Sequence, residues 1–485
     1  MVAQQKTAVY AADIPGQDRA EKDPSKLTPA ATAMWSQMLD NVLVECGVRG
    51  LGNDQVACMA GTTLAFDLGN RDPGIQNYAK YSIGNTMPAW DPEYSKHNQV
   101  AQAYQLFINS IDPAKCGAQV NPNLADLINK AMIEYNAASD NFHTVSRKAV
   151  AEYIELTKAM PDAKMTYADY IRQYNPTVNR AQEAMLGAQH RWQSLMRQAH
   201  GYGYENIAQA SNTMITALND SMPSSDMNMK VTSGSVAAEG SSPVLPGATP
   251  PAPESDLVHF YRPRYDLPGF AGTYAEWQQK SAANTPGHTF QAKASATAVS
   301  WQRFGWSGQA QATFGGSFVN VEVGATAEGK SHTSRIDSTD AELTLSFTAL
   351  GQFDIVREPW FNLALVQQFA GATADAAGQF FGRNGSFSLL PTRAILGFEP
   401  GIELRLSGES YRHAKSQWEA HGEAALNIGP FRFGGPGFAM TDKRENVMWR
   451  DEERSITVPT VKSRLPLLLG VICTKLGQSG PATPE

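Results

Sequence analysis

The chain has very little cysteine. Four residues in 485, Cys46, Cys58, Cys116 and Cys473, are too few and too scattered for a disulfide framework, and no CxxC pair occurs. They read as small buried hydrophobes in a chain suited to a reducing compartment. There is also no run of about 18 apolar residues, so no conventional membrane-spanning helix is expected. The most apolar short run, Leu465 to Cys473, is too short to cross as a helix. The opening stretch MVAQQKTAVYAADIPGQDR has no apolar core, so no secretory signal peptide is expected. The compartment stays open: cytoplasmic residence, or release by a route without a signal peptide. A formal net charge of −7 is mild acidity over this length, and it argues against a general binder of nucleic-acid backbones.

Catalytic and cofactor motifs are missing as well. No GxxxxGK[ST] occurs, and Gly201-Tyr202-Gly203 lacks the third glycine of a dinucleotide loop. Gly305-Trp306-Ser307-Gly308 lacks the second glycine of a nucleophile elbow. The nine histidines form neither HExxH nor HxH; His190 and His200 fall on different helical faces, so no metal and no cofactor is expected. Asp451, Glu452 and Glu453 sit beside Arg450 and Arg454 in a mixed-charge stretch that reads as a solvated loop.

What is present is a long helical rhythm from Leu124 to Leu218. Ile128, Ala131, Tyr135, Ala138, Phe142, Val145, Ala149, Tyr153 and Leu156 follow at steps of three and four. Val178, Ala181, Met185, Ala188, Trp192, Leu195 and Ala199 repeat the pattern. Asn121-Pro122 and Asn175-Pro176 cap the two starts, Pro161 stops the first member, and Gly201 with Gly203 predicts a break in the second. The recurrent alanines suit close antiparallel packing of one helix on the other. A shorter helix fills the turn at about 167–174. Two more are expected, one opening at Thr28-Pro29 and one at about 93–111, with loop between Gly61 and Pro92.

Residues 223–256 are rich in serine, proline and glycine, and read as an interdomain linker. Beyond it the period becomes two. Leu343, Leu345, Phe347 and Ala349 alternate with polar residues, as do Ala292 to Ala298, Val319 to Ala327, and Ile402 to Leu406. Trp418, Ala420, Ala424, Leu426 and Ile428 extend the theme. Strict alternation marks antiparallel strands with one buried face. A short helix at about 361–370 interrupts them.

The expected architecture is therefore an α+β multidomain protein: an N-terminal long-helix bundle followed by a C-terminal antiparallel β-sandwich or open barrel. Its parts are an irregular segment 1–28, a helical domain 29–222 with the long pair at 123–222, the linker 223–256, a β domain 257–476, and a disordered tail 477–485. In layout alone this resembles bacterial toxins that join a helical domain to β domains. No catalytic residues stand out. The candidate contact residues for a partner or ligand are tryptophans of the β half: Trp306, flanked by glycine, then Trp301, Trp360 and Trp449. The leading expectation is a non-enzymatic binding or assembly protein, with a membrane-active, pore-forming version of it. Its partners would be a second copy, another protein, a membrane or a glycan. An enzyme with dispersed site residues and a carbohydrate-binding protein are the competing readings.

Overall fold

The computed structural model describes residues 29–48, 50–88, 98–112, 124–159, 167–200, 204–219, 224, 226–233, 258–285, 287–295, 305–306, 318–323, 332–336, 338–357, 359–370, 380–381, 385–420, 424–434, 446–462 and 465–476. Trp301, the segment 1–28, most of the expected linker and the tail lie outside them.

Among the described residues the helices are α1 (Pro29–Glu45), α2 (Pro73–Asn85), α3 (Val100–Ser110), α4 (Ala125–Ala159), α5 (Tyr167–Gln173), α6 (Pro176–His200), α7 (Glu205–Leu218), α8 (Phe270–Ala282), α9 (Leu363–Phe369) and α10 (Gly408–Ala420). The strands are β1 (Gln55–Ala65), β2 (Thr86–Met87), β3 (Asn98–Gln99), β4 (Asn228–Ser233), β5 (Val258–Pro263), β6 (His288–Lys293), β7 (Gly305–Trp306), β8 (Val319–Val323), β9 (His332–Ile336), β10 (Glu342–Asp354), β11 (Leu389–Arg405), β12 (Ala425–Ile428), β13 (Phe431–Phe433), β14 (Met448–Arg450), β15 (Ser455–Val458) and β16 (Leu467–Lys475).

The centre is an eight-stranded, curled half-barrel sheet, antiparallel except for the short parallel contact of β1 with β7. Its longest strand, β11, pairs with β10 along one edge and with β16 and then β15 along the other. Both faces are covered. Ala57 and Met59 of β1, with Leu469 and Ile472 of β16, enter a core shared with α1, α10 and the smaller sheet β13-β12-β8-β9. Val56 and Cys58, with Val471 and Cys473, enter a second core shared with α2, α3, α4, α6, α7, α8 and α9. Double burial explains the run Leu467–Cys473: a strand covered on both faces has no wet side and so no alternation. Cys58 and Cys473 are free, buried thiols, and Cys46 is half-buried.

This arrangement corrects several expectations. The segment before residue 222 is not an all-helical bundle: β1 lies within the main sheet, paired with β16 from the far end of the chain. The stretch 61–92, expected as loop, holds the end of β1 and all of α2. Asp72 caps α2 by accepting from the Gly74 N–H at 2.7 Å, so Asp72-Pro73 is a helix start rather than a turn. Trp418 and Ala420 belong to α10, not to a strand. Helix α8 falls within the expected β half; Phe270, Tyr274 and Trp277 form its buried stripe.

The long helices do stand as elements. Helix α4 has 35 residues, about 50 Å of rise. It buries Ala131, Tyr135, Phe142, Ala149 and Tyr153 toward α6, where Tyr135 stacks on Trp192 at 5.6 Å. Helix α6 ends at His200 and α7 begins at Glu205, on either side of the glycines.

The expected linker also changes meaning. Residues 228–233 form β4, which pairs with β5 from Asn228 opposite Pro263 to Ser233 opposite Val258. Met229 and Val231 point inward and Lys230 outward. The two ends of the serine- and proline-rich stretch therefore lie side by side.

Candidate functional site

Helix α2 lies against this β4–β5 hairpin and the turn that follows it. Two glycines permit the approach. A side chain at Gly74 would reach within 1.9 Å of Thr232 Oγ1, and one at Gly84 within 2.2 Å of Tyr265 Cδ1. Asn77 ties the two elements together by donating to the Lys230 carbonyl at 2.8 Å.

Between them opens a cavity of about 430 Å³. Its wall takes Asn77 and Lys80 from α2, Ser224 and Asn228 to Lys230 from the start of the hairpin, Tyr261 from β5, and Arg264 to Asp266 from the turn. Lys80 pairs with Asp266 at 2.7 Å, the two being 22% and 43% exposed. Asp266 is held by its backbone, which exchanges hydrogen bonds with Val356. The Arg264 backbone is held too: its N–H donates to Met227 O at 3.0 Å, and its carbonyl accepts from Trp360 Nε1 at 2.6 Å. Among the described residues of the wall, the cationic side chains are Lys80, Lys230 and Arg264 and the carboxylate is Asp266.

Tyr265 forms the floor. It is buried, edge-on to both Tyr81 and Trp360, and its hydroxyl donates to Asn85 Oδ1 at 2.8 Å. Burial pushes that hydroxyl well above the usual tyrosine range, against the pull of the nearby Arg357 charge. Asn85 is fully engaged. It also accepts from the Ala101 N–H and donates to Tyr81 Oη and Gln99 Oε1. Beneath Tyr265 lies Arg357, 5% exposed, with its guanidinium 5.6 Å from the Tyr265 ring centre. It donates to the carbonyls of Gly84 and Pro391, and its Nε has no partner. No carboxylate of a described residue pairs with it, and burial lowers its affinity for its proton. The site thus has a rigid aromatic floor over a buried cation, and a cationic rim open to solvent.

A second cavity of about 270 Å³ lies between α7 and α9. Asn206, Gln209, Asn362 and Gln368 give it an uncharged amide lining. Tyr104, at its base, has its hydroxyl pushed up to about 12 by burial.

Of the four tryptophans singled out from sequence, Trp301 lies outside the described residues, and the other three belong to separate parts of the chain's fold. Trp306 lies in β7, its backbone opposite Met59. Trp360 is fully buried among Tyr104, Tyr265 and Phe361, and borders the second cavity. Trp449 is half-buried against Tyr411 and Trp418, its ring centre 5.6 Å and 6.4 Å from theirs. Neither Trp360 nor Trp449 is part of the wall of the first cavity. Its own residues, Lys80, Lys230 and Arg264, carry no motif. The one trace in sequence is that cations border the serine- and proline-rich stretch on both sides. Among the described residues no group of three or more histidine, cysteine or acidic side chains could hold a metal ion.

No protein-family model matches the chain, and no curated protein or solved structure matches it.

Proposed function

We propose that this chain acts by non-covalent binding and takes a small ligand in the cavity between α2 and the β4–β5 hairpin. The observation that carries this reading is the convergence of three stretches of chain, 77–80, 224–230 and 261–266, on one hollow with a rigid floor and polar walls. Its volume lies within the range of small-molecule sites, and the backbones of Arg264 and Asp266 in its wall are fixed by hydrogen bonds. The test is the unfolding temperature of the full chain across a library of small ligands of every charge type. A ligand that stabilises the wild type but not Lys230→Ala/Tyr261→Ala supports the reading. Equal responses from wild type and variant would remove it.

A second reading, assembly on another copy or on a membrane, is favoured by the exposed apolar side chains near the start of α4. Leu127 is 48% exposed and Ile133 64%, with Met132 beside them. Light scattering and dye release from vesicles test it. A monomer that leaks no dye between pH 4 and 8 would sink it.

A further inference from the structure

We infer that Cys58 and Cys473 form a two-ligand site for a soft monovalent metal ion, copper(I), held as an anionic bis-thiolate complex against the buried Arg357. The site is separate from the cavity of the binding reading and does not rest on it.

Strand register makes the pair. β1 runs antiparallel to β16, with Val56 opposite Cys473 and Cys58 opposite Val471. The two cysteines are therefore diagonal neighbours on one ladder. Both are fully buried, and both enter the core shared with α2, α3 and α4, so they lie on one face of the sheet. The strands run close there: a side chain at Gly470 would lie 2.6 Å from the Cys58 carbonyl. Diagonal partners stand about 7 Å apart, beyond the ~4 Å between Cβ atoms that a disulfide needs. A linear sulfur–metal–sulfur unit, with bonds of about 2.3 Å, supplies the missing length.

Charge selects the ion. Arg357 reaches the same rung over the neighbouring strand: its guanidinium donates to the Pro391 carbonyl, and Pro391 stands opposite Cys473. It is buried, its Nε has no partner, and no carboxylate of a described residue pairs with it. A buried cation left unanswered is costly. The free thiols do not answer it. Burial, with Cys58 beside it, pushes the Cys473 thiol well above the ordinary range, against the pull of Arg357. A metal ion displaces those protons. Two thiols and one copper(I) give one bis-thiolate complex and two protons released to solvent, with no change of oxidation state. The complex carries one negative charge and Arg357 one positive, so the buried unit is neutral.

Ligand number excludes the commoner choice. Structural zinc takes four ligands, and among the described residues no third histidine, cysteine or carboxylate joins the two thiols. A site of thiolates alone selects copper(I). The β1–β16 register breaks between Met59 and Leu64, directly after Cys58, and the ladder opens there to admit the ion.

The experiment is a competition for copper(I) between bicinchoninate and the reduced full chain, without oxygen. The wild type should retain one equivalent. Cys58→Ser and Cys473→Ser should each abolish retention, and Cys46→Ser/Cys116→Ser should keep it. Lys230→Ala/Tyr261→Ala should also keep it, which separates this site from the cavity. Arg357→Met should weaken retention about tenfold or more, as the loss of a group outside the ligands does. X-ray absorption of the loaded wild type depends on no variant's folding, and should show two sulfur neighbours with no nitrogen or oxygen. Three or more ligands would overturn the assignment. So would equal retention by wild type and Cys58→Ser/Cys473→Ser, or no retention by either. A Cys58–Cys473 disulfide formed by hydrogen peroxide in the folded chain would overturn the spacing argument and the site with it.

Discussion

The central sheet and the α4–α6 pair are held in different ways. The sheet is buried on both faces: along β11, Ala394, Leu396 and Phe398 serve one core and Ile395, Ile402 and Leu404 the other. Helix α4 has a single buried stripe, from Ala131 to Tyr153, and most of its remaining surface faces water. A doubly covered strand couples the whole molecule. A helix attached along one stripe can be loosened without the rest.

The largest effect should come from the sheet. Phe347, buried in β10 against Phe290 and Phe431, loses that packing in Phe347→Ala. A loss of about 3–5 kcal/mol is expected. Hydrogen exchange should accelerate in both cores together; acceleration confined to β10 would break the comparison. Next is the helical seam. Ala149 is fully buried, and Ala149→Leu overpacks it at a cost of about 1–3 kcal/mol. Exchange should rise within 125–200 and leave β11 protected. Loss of protection in β11 would show the pair to be part of the same cooperative unit.

The cavity floor joins the two regimes, since Tyr265 ties α2 to the buried Arg357. Tyr265→Phe leaves Asn85 one hydrogen bond short and should cost about 1–2 kcal/mol in chemical denaturation. The smallest effect is at the exposed rim of α10. Hydrogen bonds from Lys415 and Tyr411 hold the Asp451 carboxyl below the ordinary aspartate range. A depressed folded value contributes stability above the unfolded value, and that stability is lost as pH falls through the folded one. Asp451→Asn should therefore flatten the acid side of the unfolding-temperature profile slightly, below pH 4. A steeper acid side would show the sign to be wrong.

The elements readable in advance were those with one wet face. The stripes of α4 and α6, and the alternation at Leu343, Leu345 and Phe347, report burial by contrast with their polar neighbours. Strand β1 was missed because its small residues are covered on both sides and offer no contrast. Helix α2 was missed because Gly74 and Gly84 look like loop residues, whereas their role is to let Thr232 and Tyr265 come close. The cavity was invisible for a related reason. Lys80, Lys230 and Arg264 are separated by long intervals of chain, and no local rule links them.

Periodicity, caps and breakers by themselves determined where the long helices begin and end, because those signals act within a turn or two of the chain. The tertiary structure alone decided that β1 joins β16, that the serine- and proline-rich stretch is flanked by paired strands, and that three cations share one hollow. Each of these is a meeting of residues far apart in sequence, and it is the burial of apolar surface across the whole molecule, not any local preference, that selects such meetings.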